Sequence, residues 1–183
     1  DVYLYTVPRV HIRDMFVTTD LDRGYKMATI ESTIELTSYD DTRAEVFFEL
    51  YDAEGERVAS SEEIVGHGEV TLTSKVLSPN LWSAEDPYLY TMYVYVRDAE
   101  KGELIEVVPQ RVGIRKLELI DNIIHINGQR IVFKGVNRHE FSCYNGRAIT
   151  KEEMIWDIKF LKQHNFNAVR CSHYPNHSLW YEL

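Results

Sequence analysis

The stretch Ile131-Val-Phe-Lys-Gly-Val-Asn-Arg-His-Glu140 decides how this chain is read. It opens as an apolar strand, breaks at Gly135 and ends in four residues that hydrogen-bond or titrate. Phe166-Asn-Ala-Val-Arg-Cys-Ser-His-Tyr-Pro175 repeats the pattern, running through an apolar core into Arg170, Ser172 and His173. Between the two, Thr150 and Glu153 have the spacing of a capping box. Met154, Ile155, Ile158 and Leu161 then share one face of a helix that stops at Asn165. Strand, loop, helix and strand make a βαβ unit, and in that architecture chemistry gathers where parallel strands end. Both polar clusters sit at such ends.

Working outward, 122–126 and 130–133 read as strands flanking Asn127-Gly128, a strong hairpin signal because a type I′ turn needs positive φ at both positions. His125 reads as an outward-facing strand residue. Residues 178–183 read as a helix just starting. Upstream the sequence is a procession of strands at 10–19, 25–37, 44–51, 57–64, 70–77, 88–96 and 104–115, with turn residues between them and no amphipathic helix. In 25–37, Ala28, Ile30, Ile34 and Leu36 face one way and Met27, Thr29, Glu31, Thr33 and Glu35 the other, with Ser32 the small exception. The aromatics of Tyr88-Leu-Tyr-Thr-Met-Tyr-Val-Tyr95 read as core and cross-strand pairs.

The expected fold class is therefore mainly β. An immunoglobulin-like β-sandwich over 9–116, lacking the Cys…Trp…Cys marker, is followed over 117–183 by the opening of a (β/α)8 TIM barrel. The β-like run at 2–7, stopped by Pro8, reads as the tail of something upstream. One and a half βα units cannot close a barrel, so the chain is expected to be an excised piece of a longer protein. Unpaired strand edges and the helix face around Ile155 and Ile158 are expected to drive self-association into a homo-oligomer.

A formal net charge of -9 argues against a nucleic-acid partner, whose phosphates it repels. No apolar run approaches the roughly 20 residues needed to cross a bilayer, so no membrane partner is expected. Cys143 and Cys171 make neither a disulfide framework nor a CxxC metal site, and two unpaired thiols fit a reducing, cytoplasmic setting.

Asn137, Arg138, His139, Glu140, Arg170 and His173 carry the candidate chemistry. Arg170, expected to be buried near a strand terminus, needs an anionic partner, and a bidentate carboxylate suits it. No acid on its own strand supplies one. His139 and His173 each offer a donor and an acceptor to a polyol, and Asn137 serves equally. Arg138 and Glu140 alternate with Asn137 and His139, so one pair points away; Arg138 is expected to be structural. Glu140 is the acid nearby.

Phe133-Lys-Gly-Val-Asn-Arg-His-Glu140 and Asn165-Phe-Asn-Ala-Val-Arg-Cys-Ser-His-Tyr-Pro-Asn-His177, with Leu179-Trp-Tyr181 behind them, closely resemble the β-galactosidases of glycoside hydrolase family 2. Asn80-Leu-Trp-Ser-Ala-Glu-Asp-Pro-Tyr-Leu-Tyr90 and Val112-Gly-Ile-Arg115 look like the same family, at its sandwich domain and the junction with its barrel. The resemblance implies a retaining hydrolase of terminal β-D-galactosides such as lactose, working through a covalent galactosyl intermediate. It implies that residues 1–8 end a preceding jelly-roll sugar-binding domain. His139 and His173 match positions lining the galactose subsite, Arg170 the arginine that pairs with the nucleophile, and Asn137 a strand-end asparagine of the same pocket. The acid/base glutamate, the nucleophile and the ligands of Mg2+, and of any Na+, match no position in this chain. No catalytic residue is therefore expected here, and the piece alone is expected to be inactive. Two other readings stay open: a family 2 relative with another preference, β-glucuronidase or β-mannosidase, and a non-catalytic β-sandwich binding or spacer module.

Overall fold

Strands β1 (Val10–Leu21) and β2 (Met27–Ser38) pair antiparallel, with Val10 opposite Ser38 and Leu21 opposite Ala28. The turn between them is closed by Asp22, whose carboxylate accepts from the backbone N–H groups of Lys26 (2.7 Å) and Met27 (3.0 Å). Those two bonds, the one from Met27 foremost, hold its pKa below the usual carboxylate range. β2 buries Ala28, Ile30, Ser32, Ile34 and Leu36 and turns the alternate residues toward solvent, as the alternation predicts.

The computed structural model describes residues 4–40 and 42–183. They divide into two units, one of the described residues up to 119 with 125–129, the other of residues 120–124 with 130–183. The strands that follow in the first unit are β3 (Ala44–Tyr51), β4 (Arg57–Ser60), β5 (Ile64–Gly66), β6 (Glu69–Leu77), β7 (Tyr90–Asp98) and β8 (Leu104–Val112). One sheet has the order β1-β2-β6; the other runs β4-β3-β7-β8, with β5 also on β3. Ile30, Ile34 and Leu72 of the first sheet and Phe48, Leu50 and Met92 of the second belong to one core. Each such buried side chain stabilises the sandwich by roughly 1.5–3 kcal/mol. On the outer face Phe47 stacks on Tyr95, its direct cross-strand partner, and Tyr51 meets Tyr93 edge-on, while Tyr90 turns inward. The aromatics at alternate positions are thus core and cross-strand pairs.

Two expectations in this unit change. The single strand expected over 57–64 is two, because Ser61 bonds the middle of β3 itself. Its N–H donates to Phe48 O (3.0 Å), and its hydroxyl accepts from Phe48 N–H (2.9 Å). The β-like run at 2–7 forms no strand over 4–7, where Leu4 and Tyr5 are exposed; Val2 and Tyr3 lie outside the described residues. The segments quoted as 80–90 and 112–115 do meet. Trp82 N–H donates to Ile114 O (2.9 Å), Arg115 lies over the indole, and a Cβ on Gly113 would reach the ring at 3.0 Å.

The sequence continues through a small sheet of β9 (Leu117–Ile120), β10 (Ile123–Ile126) and β11 (Gln129–Arg130), with positive φ at both Asn127 and Gly128 in the hairpin. The second unit then holds β12 (Gly135–Arg138), α1 (Lys151–Gln163), β13 (Ala168–Cys171) and α2 (Ser178–Glu182). α1 has the capping box, with Thr150 and Glu153 exchanging side-chain bonds for each other's backbone N–H. Asn165, just past its end, takes the left-handed φ of 60° that stops a helix. β12 and β13 pair parallel, with Asn137 opposite Arg170 and Arg138 opposite Cys171.

Here the opening stretch is corrected. The apolar run 131–134 is not a strand, and Gly135 begins the strand rather than breaking it. The reason is Asn167: its side-chain oxygen accepts from Lys134 N–H (2.7 Å), and its amide NH2 donates to Val132 O (3.0 Å). A side chain takes the backbone groups that a ladder would use. Gly135 suits the position because a Cβ there would stand 3.0 Å from Ala168 O.

Candidate functional site

Asn137 and Arg170 lie side by side on one face of the β12–β13 pair, both exposed. With Phe133, Gly135, Val136, Ala168 and Val169 they line an open cleft of about 550 Å3. Arg170 is therefore not buried, contrary to the burial argument. Its face of the two-stranded sheet is uncovered among the described residues, and no acid there pairs with it.

His139 and His173 follow their strands and meet beyond the strand ends. Their rings lie 5.6 Å apart, edge to face, and both are exposed. The peptide joining Ser172 to His173 is cis. Neither imidazole lines the cleft that Asn137 and Arg170 share. The four expected residues thus form two pairs in sequence along two adjacent strands. Together they offer a guanidinium, an amide and two imidazoles, a donor-rich set suited to hydroxyl and carboxylate oxygens.

Arg138, on the opposite face, is structural as expected. It is only 8 % exposed and donates from Nε to Asp157 of α1 at 2.7 Å. Its guanidinium lies 3.6 Å from the ring centroid of Trp180 and 3.8 Å from a Glu140 oxygen. Oriented to satisfy both its neighbours, the Asn176 amide accepts from Arg138 Nη1 (3.1 Å) and donates to Tyr174 O (3.3 Å). Glu140 accepts from the backbone N–H of His177 (3.1 Å), and so ties the end of β12 to the start of α2. Its carboxylate is occupied with structure.

Two residues of this site were not singled out in the sequence. Tyr174 places its hydroxyl 3.0 Å from Glu140 N, whose proton it accepts, and 3.3 Å from His139 Nδ1. Arg147 covers its ring at 4.6 Å. Asp157 had a signal: it lies three residues after Met154 and four before Leu161, so it is a carboxylate within the inward stripe of α1. Among the described residues, no group of three or more His, Cys, Asp or Glu side chains is placed to hold a metal ion. No Mg2+ site built from three such side chains is therefore present among the described residues.

Residues 10–115 match the family described as glycosyl hydrolases family 2, and residues 117–183 match its TIM barrel domain. The whole chain is 52% identical to a protein of Halalkalibacterium halodurans and to one of Clostridium acetobutylicum, both named β-galactosidase, covering 18% and 20% of them. The chain thus spans about a fifth of the length of these curated relatives. Among solved structures, 96% of the chain superposes on a β-glucuronidase of Parabacteroides merdae, with a TM-score of 0.85, 24% identity and 22% of that chain covered. It also superposes on one from Ruminococcus gnavus, with a TM-score of 0.80, 28% identity, 96% of this chain and 28% of that one covered. The first of these likenesses speaks to the fold, an immunoglobulin-like sandwich followed by the opening of a TIM barrel.

Proposed function

Since the chain belongs to the glycosyl hydrolases of family 2, we propose that the protein containing it is a β-galactosidase acting on terminal, non-reducing β-D-galactosides. The observation that carries this reading is 52% identity along the whole chain to proteins named β-galactosidase, against 24% and 28% for the two glucuronidases. Hydrolysis with retention needs two carboxyl groups about 5–5.5 Å apart, one to protonate the leaving oxygen and one to form the glycosyl-enzyme bond. Glu140 fills neither role here, because its carboxylate is held by the His177 N–H and faces the Arg138 side of the sheet. His139, His173 and Asn137 are assigned to the sugar's hydroxyl groups, and Arg170 to the carboxylate of the nucleophile. That assignment gives the exposed guanidinium its partner.

In this reading the domains are the end of a jelly-roll over 1–8, the sandwich over 9–116 and the start of the barrel over 117–183. Mg2+, and any Na+, belongs to the longer protein and is held by residues outside this chain. That protein is a homo-oligomer of a reducing, cytoplasmic compartment. No helix among the described residues is long and apolar enough to cross a membrane.

The test is hydrolysis by the full-length protein of aryl β-D-galactoside, β-D-glucuronide and β-D-mannoside in parallel. Turnover of the galactoside alone supports the proposal. Preference for the glucuronide, the substrate class named for the structural relatives, replaces it. The 183-residue chain alone is expected to hydrolyse none of them, since neither His nor Arg supplies the missing nucleophile.

A further inference from the structure

The hydroxyl of Tyr174 has two neighbours among the described residues, the backbone nitrogen of Glu140 at 3.0 Å and His139 Nδ1 at 3.3 Å. A phenol has one proton to donate and two lone pairs. The Glu140 nitrogen is a peptide N–H and always donates, so the Tyr174 oxygen accepts there. The phenolic proton is left with one protein acceptor in reach, His139 Nδ1. Were Nδ1 protonated instead, the oxygen would accept twice and its own proton would have no protein acceptor. Pairing every one of these groups within the protein requires a bare Nδ1, and a neutral imidazole with a bare Nδ1 carries its proton on Nε2.

The tyrosine is itself held in place. Its backbone carbonyl accepts from Asn176, and Arg147 lies over its ring at 4.6 Å. The His139 ring makes a tilted contact with the phenol at 5.8 Å and an edge contact with His173 at 5.6 Å. We propose that Tyr174 is a positioning residue that fixes both the orientation of His139 and its Nε2–H tautomer, so that the imidazole offers a donor to a substrate oxygen on its far side. In this proposal His139 presents a donor alone to the substrate, where the sequence assigned it both a donor and an acceptor. The substrate part of this inference rests on the galactosidase reading; the tautomer does not.

Two measurements test it. In 15N-histidine spectra of the 183-residue chain at neutral pH, His139 should show a pyrrole-like Nε2 and a pyridine-like Nδ1. In Tyr174→Phe, which keeps the ring under Arg147 and removes only the hydroxyl, the two nitrogens should move toward a mixture of tautomers. In the full-length protein the same substitution should raise KM for an aryl β-galactoside about tenfold, the value of one hydrogen bond, while kcat changes less. A protonated Nδ1 in the wild-type spectrum overturns the proposal. So does a Tyr174→Phe enzyme whose KM stays within twofold of wild type. If the wild-type full-length protein turns over no galactoside, the galactosidase reading fails, and the spectra alone decide the tautomer.

Discussion

Arg138 Nε donates to Asp157 Oδ2 at 2.7 Å, joining β12 to the inner face of α1. The bond matters because the guanidinium is buried and also stacks on Trp180 of α2. One side chain thus links a barrel strand to both helices of the second unit. Removing it leaves Asp157 facing a gap and strips a cation from the Trp180 ring. Arg138→Ala is expected to destabilise this unit by roughly 1–3 kcal/mol, less than the cost of breaking a fully buried pair because the Asp157 carboxylate left behind is partly exposed. Arg138→Lys should recover only part of that loss, because an ammonium cannot bond Asp157 and stack on the indole at once. Urea unfolding followed by Trp fluorescence measures both. Equal stability of Arg138→Ala and wild type would show that the pair contributes nothing.

Ser32 lies in the sandwich core at 0 % exposure, and its hydroxyl has no hydrogen-bond partner among the described residues. A buried unsatisfied hydroxyl carries its desolvation cost without return. Ser32→Ala removes the oxygen and leaves a small void between Ile30 and Ile34 on the same face. The substitution is expected to raise stability by about 1 kcal/mol, visible as a higher urea midpoint at unchanged slope. A lower midpoint would mean that the hydroxyl is bonded after all.

The sandwich was legible because burial there has period two, and that period is written directly in the residues. β3 falls on 44–51 as expected, and β2 buries the residues its alternation assigned inward. Two of the departures, at 57–64 and at 131–134, share one cause. Ser61 and Asn167 use side chains to bond backbone groups of other segments, Asn167 reaching Lys134 across 33 positions, and no local pattern reports such a bond. In the candidate site, the grouping of His139 with His173 and of Asn137 with Arg170 follows from two parallel strands in register, which the repeated pattern implied. The exposure of Arg170 did not follow, since burial depends on what covers a face and not on the strand itself. Tyr174 stood inside a quoted stretch, yet its role depends on a hydroxyl reaching Glu140, 34 positions away.

The Glu153 carboxyl is held below the usual carboxylate range by the Ser142 hydroxyl first, and then by the Thr150 N–H at 2.8 Å. A depressed folded-state pKa adds stability that is present above the unfolded value, about 4.3 for glutamate, and is lost as pH falls through the folded value. The start of α1 should therefore loosen in acid, below about pH 4.3. Glu153→Gln keeps an acceptor for the Thr150 N–H but does not titrate. It should flatten this part of the stability–pH curve while costing little at pH 7. A variant that follows the wild-type curve through pH 3–5 would assign the acid sensitivity to another group.

Gly135 opens β12 opposite Ala168, and a Cβ there would sit 3.0 Å from Ala168 O and 3.1 Å from Ala168 Cβ. The first of these atoms belongs to the backbone, so it cannot rotate away; the strands must separate or slip. Gly135→Ala is expected to cost roughly 1–3 kcal/mol, the range for overpacking a close contact. The strain should be local, because Asn137 and Arg170 pair two residues further along each strand. Ala168→Gly removes the Cβ but not the carbonyl, so the double variant should recover only part of the loss. Amide exchange at Val136 and Val169 reads this directly: faster exchange in Gly135→Ala, partly restored in the double variant, is the expected result. Unchanged exchange at both amides would show that the strands have room for a methyl group, and that Gly135 is not required by the close approach.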